Sequence, residues 1–231
     1  MKISVIIPAY NEEVRIIKTI ERVINYFNNH PDLLAEIIVV DDGSNDQTKN
    51  AVLSVASPKL IILSHDKNQG KGRAIKTGMN RASGDWSLFM DADSSADISE
   101  LDKFLPWVKN GFDIIIGSRA LGDSKIAVHQ NYIREFFGKL GNLLIRYLLN
   151  LHFFDTQCGF KLFNRRAAEL FKEIKIDGWG FDVEILFLAR KRGYKIKELP
   201  VAWSHNLSSS FNLLAYPRTF LDLIKIRFNN F

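Results

Sequence analysis

Two aspartates one residue apart, Asp91 and Asp93, follow the apolar run Trp86 to Met90. Carboxylates set together at the end of a buried strand repel each other. A hard divalent cation such as Mg²⁺ or Mn²⁺ relieves that repulsion, and it commonly shares its oxygen ligands with substrate phosphates. Aspartates capping a solvated turn before Ser94 and Ser95 would read the same way. Asp41-Asp42-Gly43-Ser44 closes a second apolar run. Its carboxylates can accept hydrogen bonds from a ribose or a uracil-like ring, or serve with Ser44 and Asp46 as turn and helix-cap residues. Pro8-Ala9-Tyr10-Asn11-Glu12 and Gly117-Ser118-Arg119 close two further runs. Gly70-Lys71-Gly72-Arg73 opens a helical pattern, where backbone N–H groups favour phosphate. The segment matches neither GxxxxGK[ST] nor GxGxxG, so neither a P-loop ATPase nor a dinucleotide-binding enzyme is supported.

These residues meet only if the runs are strands of one sheet. Ile3 to Pro8, Ile37 to Val40, Leu60 to Leu63, Trp86 to Met90 and Ile114 to Ile116 read as strands. Glu13 to Phe27, Asp46 to Val55 and Ala74 to Ala82 read as crossover helices, and another opens at Ser99-Glu100. That alternation predicts an α/β fold with a mostly parallel central sheet flanked by helices, binding its ligand at the carboxyl ends of the strands. Two amphipathic, aromatic segments follow, 133–154 and 211–231. The first carries Arg134, Lys139 and Arg146 against the single acid Glu135.

The 231 residues are 46% hydrophobic, 12% aromatic and 25% charged, which excludes disorder and suits one domain over 1–231. Within it, 1–120 reads as the nucleotide-sugar half and 121–231 as the acceptor half. The single cysteine, Cys158, excludes an intrachain disulfide and a cysteine-rich zinc site, and fits a reducing compartment. His65, His129, His152 and His205 lack ligand-like spacing. A net charge of +5 suits phosphate-rich partners or an anionic membrane surface and requires no nucleic acid. The amino-terminal apolar run is too short for a signal peptide, and no stretch reaches the roughly 18 apolar residues of a membrane span. A cytoplasmic protein, peripheral on the inner membrane face, is the expectation.

Taken together, Val5-Ile6-Ile7-Pro8-Ala9-Tyr10-Asn11-Glu12-Glu13, Val39-Val40-Asp41-Asp42-Gly43-Ser44, Asn68-Gln69-Gly70-Lys71-Gly72, Asp91-Ala92-Asp93 and Gly117-Ser118-Arg119 resemble the GT-A glycosyltransferases of family 2. Asp155 to Phe163 and Trp179 to Glu184 resemble the dolichyl-phosphate β-glucosyltransferase branch of the polyprenyl-phosphate transferases, so the likeness runs to about Trp203. Aromatic and aliphatic groups with flanking cations in 133–154 and 211–231 suit membrane-facing helices of the second half, and a core helix closing the domain is the alternative for 211–231. The resemblance implies a GT-A fold. It implies that Pro8, Tyr10, Glu12 and Asp42 hold the nucleotide, that Asp91 and Asp93 form a DxD motif binding Mg²⁺ or Mn²⁺, and that transfer inverts. Asp41 and Lys71 are read beside them as donor-binding residues. Ser95 stands where mannosyl relatives commonly carry Gln, which points away from a mannosyl donor.

Departure of a nucleoside diphosphate requires neutralisation of its developing charge, the expected task of metal on Asp93 and Asp91. A saccharide hydroxyl would need a base, for which Asp155 and Asp182 are the candidates. A lipid phosphate is already ionised and needs cations, for which Arg119, Arg134 and Lys139 are the candidates. Arg119 pairing with an acid, and Asp182 at a helix amino end, are the structural alternatives. Cys158 and Trp179 read as packing residues. The expected function is transfer of a hexose, with glucose from UDP-glucose favoured, to a polyprenyl or dolichyl phosphate. The alternatives are transfer to a saccharide hydroxyl and a non-catalytic sugar-nucleotide-binding module. A nucleotidyltransferase would need a glycine-rich amino-terminal motif that is missing. A membrane-protein partner or a homo-oligomer is compatible with the sequence.

Overall fold

The computed structural model describes residues 1–122, 124, 145–204 and 215–228. Seven strands form one sheet: β1 (Ile3–Ala9), β2 (Leu34–Asp41), β3 (Leu60–Ser64), β4 (Trp86–Met90), β5 (Ile114–Ser118), β6 (Phe160–Asn164) and β7 (Ile196–Pro200). Their order is β3-β2-β1-β4-β6-β5-β7. The first five are the apolar runs of the sequence. Between them lie α1 (Ile16–Asn28), α2 (Thr48–Leu53), α3 (Lys71–Arg81) and α4 (Leu101–Lys109). Helix α3 starts at Lys71 rather than Ala74, which brings the Gly70-Lys71-Gly72 segment into its first turn.

The period of two along each strand divides the core. Val5 and Ile7 of β1, Leu88 and Met90 of β4 and Ile115 of β5 pack on one side of the sheet with Ile16, Ile20, Val23 and Phe27 of α1. Ile6, Phe89, Ile114 and Ile116 pack on the other with Ile75 and Met79 of α3 and with Phe181, Ile185 and Leu188 of the helix Phe181–Lys191. Both faces are covered, so these strands read as continuous apolar runs.

Strands β6 and β7 were not expected; β6 is the antiparallel member of the mostly parallel sheet that the sequence predicts. It lies antiparallel between β4 and β5, with Phe89 opposite Lys161 and Ile116 opposite the same lysine on the other side. Its entry places residues 155–159 beside the carboxyl end of β4, and Asp91 N donates to Gly159 O at 3.2 Å. Strand β7 runs parallel to β5 at the sheet edge.

The helix Ala215–Phe228 occupies part of the predicted 211–231 segment. Among its described side chains Leu223 and Ile226 are buried, while Ile224 and Phe228 are exposed. In the 133–154 segment Ile145, Leu149 and Leu151 are buried and Tyr147 is exposed. Arg134, Lys139, His129 and His205 lie outside the described residues. No described helix is long and apolar enough to cross a membrane.

At the amino end of the sheet, the buried Glu36 side chain accepts from Ser4 Oγ at 2.6 Å and from Ser83 N at 2.7 Å. Burial raises its pKa, but these hydrogen bonds outweigh burial and the net direction is down. A depressed carboxyl stabilises the fold above its unfolded value, and that contribution is lost as pH falls through the folded one. Glu36→Ala should therefore cost about 2–3 kcal/mol at neutral pH, with a smaller deficit in acid, as read by urea denaturation at both pH values. An equal deficit at both would remove the ionised carboxylate from this account.

Candidate active site

The loops after β1 and β2 are laced together. Asn11, held at φ 54°, donates its N–H to Ser44 Oγ at 2.9 Å and accepts from Asn45 N on Oδ1 at 2.9 Å. Glu12 N donates to Thr48 Oγ1 at 2.7 Å. Asp41 and Asp42 are only 4% and 3% exposed. Asp41 Oδ1 accepts from Ser44 N at 3.1 Å. Asp42 accepts from Gln69 N at 3.0 Å and Gly70 N at 2.8 Å, and lies 2.6 Å from His65 Nδ1. Asp42 thus fastens the Asn68-Gln69-Gly70 turn that leads into α3. Between the two acids and that turn, Gly43 has φ +69°, and a Cβ there would fall 2.3 Å from the backbone carbon of Lys67. Pro8 is half-buried and Tyr10 is exposed at the same edge.

After β4, Asp93 Oδ1 accepts from Ser95 N at 2.9 Å, and Thr19 Oγ1 donates to Ala92 O at 2.6 Å. Asp91 Oδ1 lies 2.6 Å from Lys71 Nζ. The other side of Asp91 packs on Gly159, where a Cβ would meet its carboxylate at 2.0 Å, so a side chain at 159 would displace the acid. Burial opposes the Lys71 charge, but Asp91 and Asp182 outweigh it and its pKa is raised. Glu12, 2.6 Å from Arg15, has a raised pKa through burial, with Asp93 and Asp91 adding to it against Arg15.

Two more ion pairs complete the edge. Arg119 grips Asp155 with Nε at 2.6 Å and Nη2 at 2.9 Å, and its backbone N–H adds a bond at 3.0 Å. The guanidinium also lies 4.9 Å from the Trp203 ring centroid. Burial raises the Asp155 pKa, but Arg119 more than offsets this and the net direction is down. Lys161 is fully buried, donating to Cys158 O at 2.6 Å and Asp182 Oδ1 at 2.5 Å. Asp182 stands in the first turn of the helix Phe181–Lys191, and burial raises its pKa against the pull of Lys161 and Lys71. Cys158 is buried with its thiol pushed up to about 12 by burial, so it stays protonated at neutral pH.

Asp91, Asp93, Lys71, Asp182, Arg119 and Asp155 therefore share one edge, linked to Glu12 through the field of the two strand-end acids. Asp91 and Asp93 offer hard oxygen donors without histidine or cysteine, the chemistry that Mg²⁺ and Mn²⁺ prefer. Among the described residues no three acids, histidines or cysteines gather to hold a metal alone. The donor set fits a cation that completes its shell on substrate phosphates. Trp179 is not a packing residue, being 61% exposed beside Lys71. Lys161 and Glu198, which accepts from Asp155 N at 2.8 Å, escaped the sequence reading, and His65, read there only as lacking ligand-like spacing, sits against Asp42. For Lys161 the alternation Phe160-Lys161-Leu162-Phe163 was the available signal.

Removing one member of a buried pair strands the other charge, a loss of about 3–5 kcal/mol. Lys161→Met should lose that much in chemical denaturation, and adding Asp182→Asn should recover part of it. Strictly additive losses would show that the pair is not coupled.

The model of glycosyl transferase family 2 matches residues 4–171. The chain is 36% identical to a dolichyl-phosphate beta-glucosyltransferase of Trichomonas vaginalis, covering 97% of this chain and 72% of that protein. It is 32% identical to the dolichyl-phosphate beta-glucosyltransferase of Saccharomyces cerevisiae, covering 97% and 71%. Among solved structures it is similar to mannosyl-3-phosphoglycerate synthase of Rubrobacter xylanophilus, with a TM-score of 0.72 and 19% identity over 98% of this chain and 72% of that one. It is also similar to glucosyl-3-phosphoglycerate synthase of Mycobacterium tuberculosis in complex with Mn²⁺, uridine diphosphate and glucosyl-3-phosphoglycerate. That likeness has a TM-score of 0.66 and 21% identity over 97% and 78%. These structural likenesses establish the GT-A fold, and the family match with the sequence identities establishes that the chain is a glycosyltransferase belonging to family 2.

Proposed function

We propose that this enzyme transfers glucose, with inversion, from UDP-glucose to dolichyl or another polyprenyl phosphate at the cytoplasmic membrane face. The observation that carries this reading is the state of the two acids that a hydroxyl acceptor would need as base. Asp155 is clamped by Nε and Nη2 of Arg119, and Asp182 is 1% exposed against the buried Lys161 ammonium. Asp155 is held below the ordinary carboxyl range by that clamp, and Asp182, whose pKa burial raises, is sealed from an acceptor hydroxyl by the same burial. A phosphate acceptor arrives ionised and needs only to be oriented and kept from its own hydration shell. The curated relatives' acceptor, named as dolichyl phosphate, supports the same reading.

In this reading Pro8, Tyr10, Glu12 and Asp41 form the nucleotide end of the site, and Asp42 acts through the turn it fastens. Lys71 and the first turn of α3 face the diphosphate. Asp91 and Asp93 hold Mg²⁺ or Mn²⁺, which supplies neutralisation of the charge on the departing diphosphate. Arg119 spends Nε and Nη2 on Asp155, and its remaining Nη1 serves the acceptor phosphate, with Arg134 and Lys139 joining from the 133–154 segment. The 133–154 and 211–231 segments rest on the membrane, with Tyr147, Ile224 and Phe228 among the exposed apolar residues. Residues 1–231 act as one domain, 1–120 serving the donor and 121–231 the acceptor.

The test is incubation with Mn²⁺, polyprenyl phosphate and radiolabelled UDP-glucose, UDP-galactose or GDP-mannose, followed by lipid extraction. Label from UDP-glucose should enter the lipid phase; label from GDP-mannose alone would overturn the donor. Asp93→Ala should reduce transfer by about a hundredfold or more while the protein stays folded, and full activity of that variant in EDTA would end the metal assignment. Arg119→Lys keeps a charge for Asp155 but loses the fork, so KM for the lipid phosphate should rise about tenfold with KM for the donor unchanged. Equal changes in both would return Arg119 to a purely structural role.

A further inference from the structure

Trp179 presents most of its indole to solvent, 61% exposed, yet the loop carrying it is tightly held. Gly70 has φ +103°, and a Cβ on it would lie 2.4 Å from Asp177 O. A Cβ on Gly72 would meet Phe181 Cβ at 2.7 Å, and Arg73 N donates to Asp177 O at 3.2 Å. The first turn of α3 is thus fitted against the chain on both sides of Trp179. A large apolar ring on a loop held in this way, with Lys71 over it and most of its surface uncovered, is presented for contact.

The position of the ring names the contact. Lys71 Nζ lies 4.9 Å from its centroid and 2.6 Å from Asp91 Oδ1, so the indole stands within one side chain of the metal-holding acid. In a nucleotide sugar held through its diphosphate at Asp91, the hexose is directly attached to that diphosphate, and its ring carries an apolar C–H face. An indole face matches it in size and polarity. We propose that Trp179 is the platform on which the transferred hexose of the donor lies, a specificity-determining residue for the sugar. The proposal rests on the nucleotide-sugar reading above and deepens it.

The test separates sugar from nucleotide. Calorimetry with Mn²⁺ compares UDP-glucose with UDP on the wild type, Trp179→Ala and Trp179→Phe; the ring's exposure leaves the core intact in both variants. Trp179→Ala should weaken UDP-glucose about tenfold, the factor given by roughly 55 Å² of buried apolar surface. Binding of UDP should be unchanged, and Trp179→Phe should restore most of the loss. Equal weakening of UDP and UDP-glucose overturns the platform alone, as does an effect confined to KM for polyprenyl phosphate, which would make the indole a prenyl contact. A wild-type protein that binds neither UDP nor UDP-glucose overturns the donor reading, and the platform with it.

Discussion

A lysine deprived of all water keeps its charge only if an anion and a further acceptor replace that water, and Lys161 meets this condition with Asp182 and Cys158 O. The pair joins β6 to the first turn of the helix Phe181–Lys191, elements 21 residues apart in sequence. Once β6 is fixed, the loop before it is fixed as well, because Gly159 packs on Asp91 and Asp155 reaches Arg119. The position of Asp182 in turn influences Lys71, whose charge is supported by Asp91 and Asp182 together. The carboxyl edge of the sheet is thus held by three matched pairs, Asp91 with Lys71, Asp155 with Arg119 and Asp182 with Lys161.

That matching decides what the site can do. Acids left alone at such an edge would compete for protons and could serve as bases. Asp155 instead spends its charge on Arg119 and Asp182 is sealed against Lys161, while Asp91 pairs, among the described residues, with the partly exposed Lys71. The most exposed of the three acids is the one at β4, and the other two pairs act as its frame. Preorganised charges of this kind need no rearrangement when a leaving group develops its own.

How much of this was legible in the sequence follows from the physics of each element. Strands β1, β2, β4 and β5 are buried along nearly their whole length and the edge strand β3 is half-buried, and the apolar runs of all five declare them. Strand β6 has a lysine in its centre, and a lysine ordinarily reads as solvent-facing; only tertiary pairing with Asp182 makes Phe160–Asn164 an interior strand. Strand β7 is a half-buried edge with alternating charges, Ile196-Lys197-Glu198, and gives no strong pattern. The place of Asp91 and Asp93 at the carboxyl end of β4 was readable because the apolar run before them declares that strand. Their link to Lys71 was not, since it depends on how α3 approaches β4. Trp179 misled for the opposite reason: aromatic residues between glycines suggest packing, and only the fold shows which face of the ring is left uncovered.

The central claim is that the acceptor enters already ionised, so that the edge needs cations and no base. It is tested most directly by offering the enzyme, with UDP-glucose and Mn²⁺, polyprenyl phosphate and the corresponding polyprenol of the same chain length at matched concentrations in identical vesicles. The account predicts glucosylation of the phosphate and none of the alcohol above background. Comparable transfer to the alcohol would contradict it, because that reaction requires a proton acceptor that the paired states of Asp155 and Asp182 do not provide.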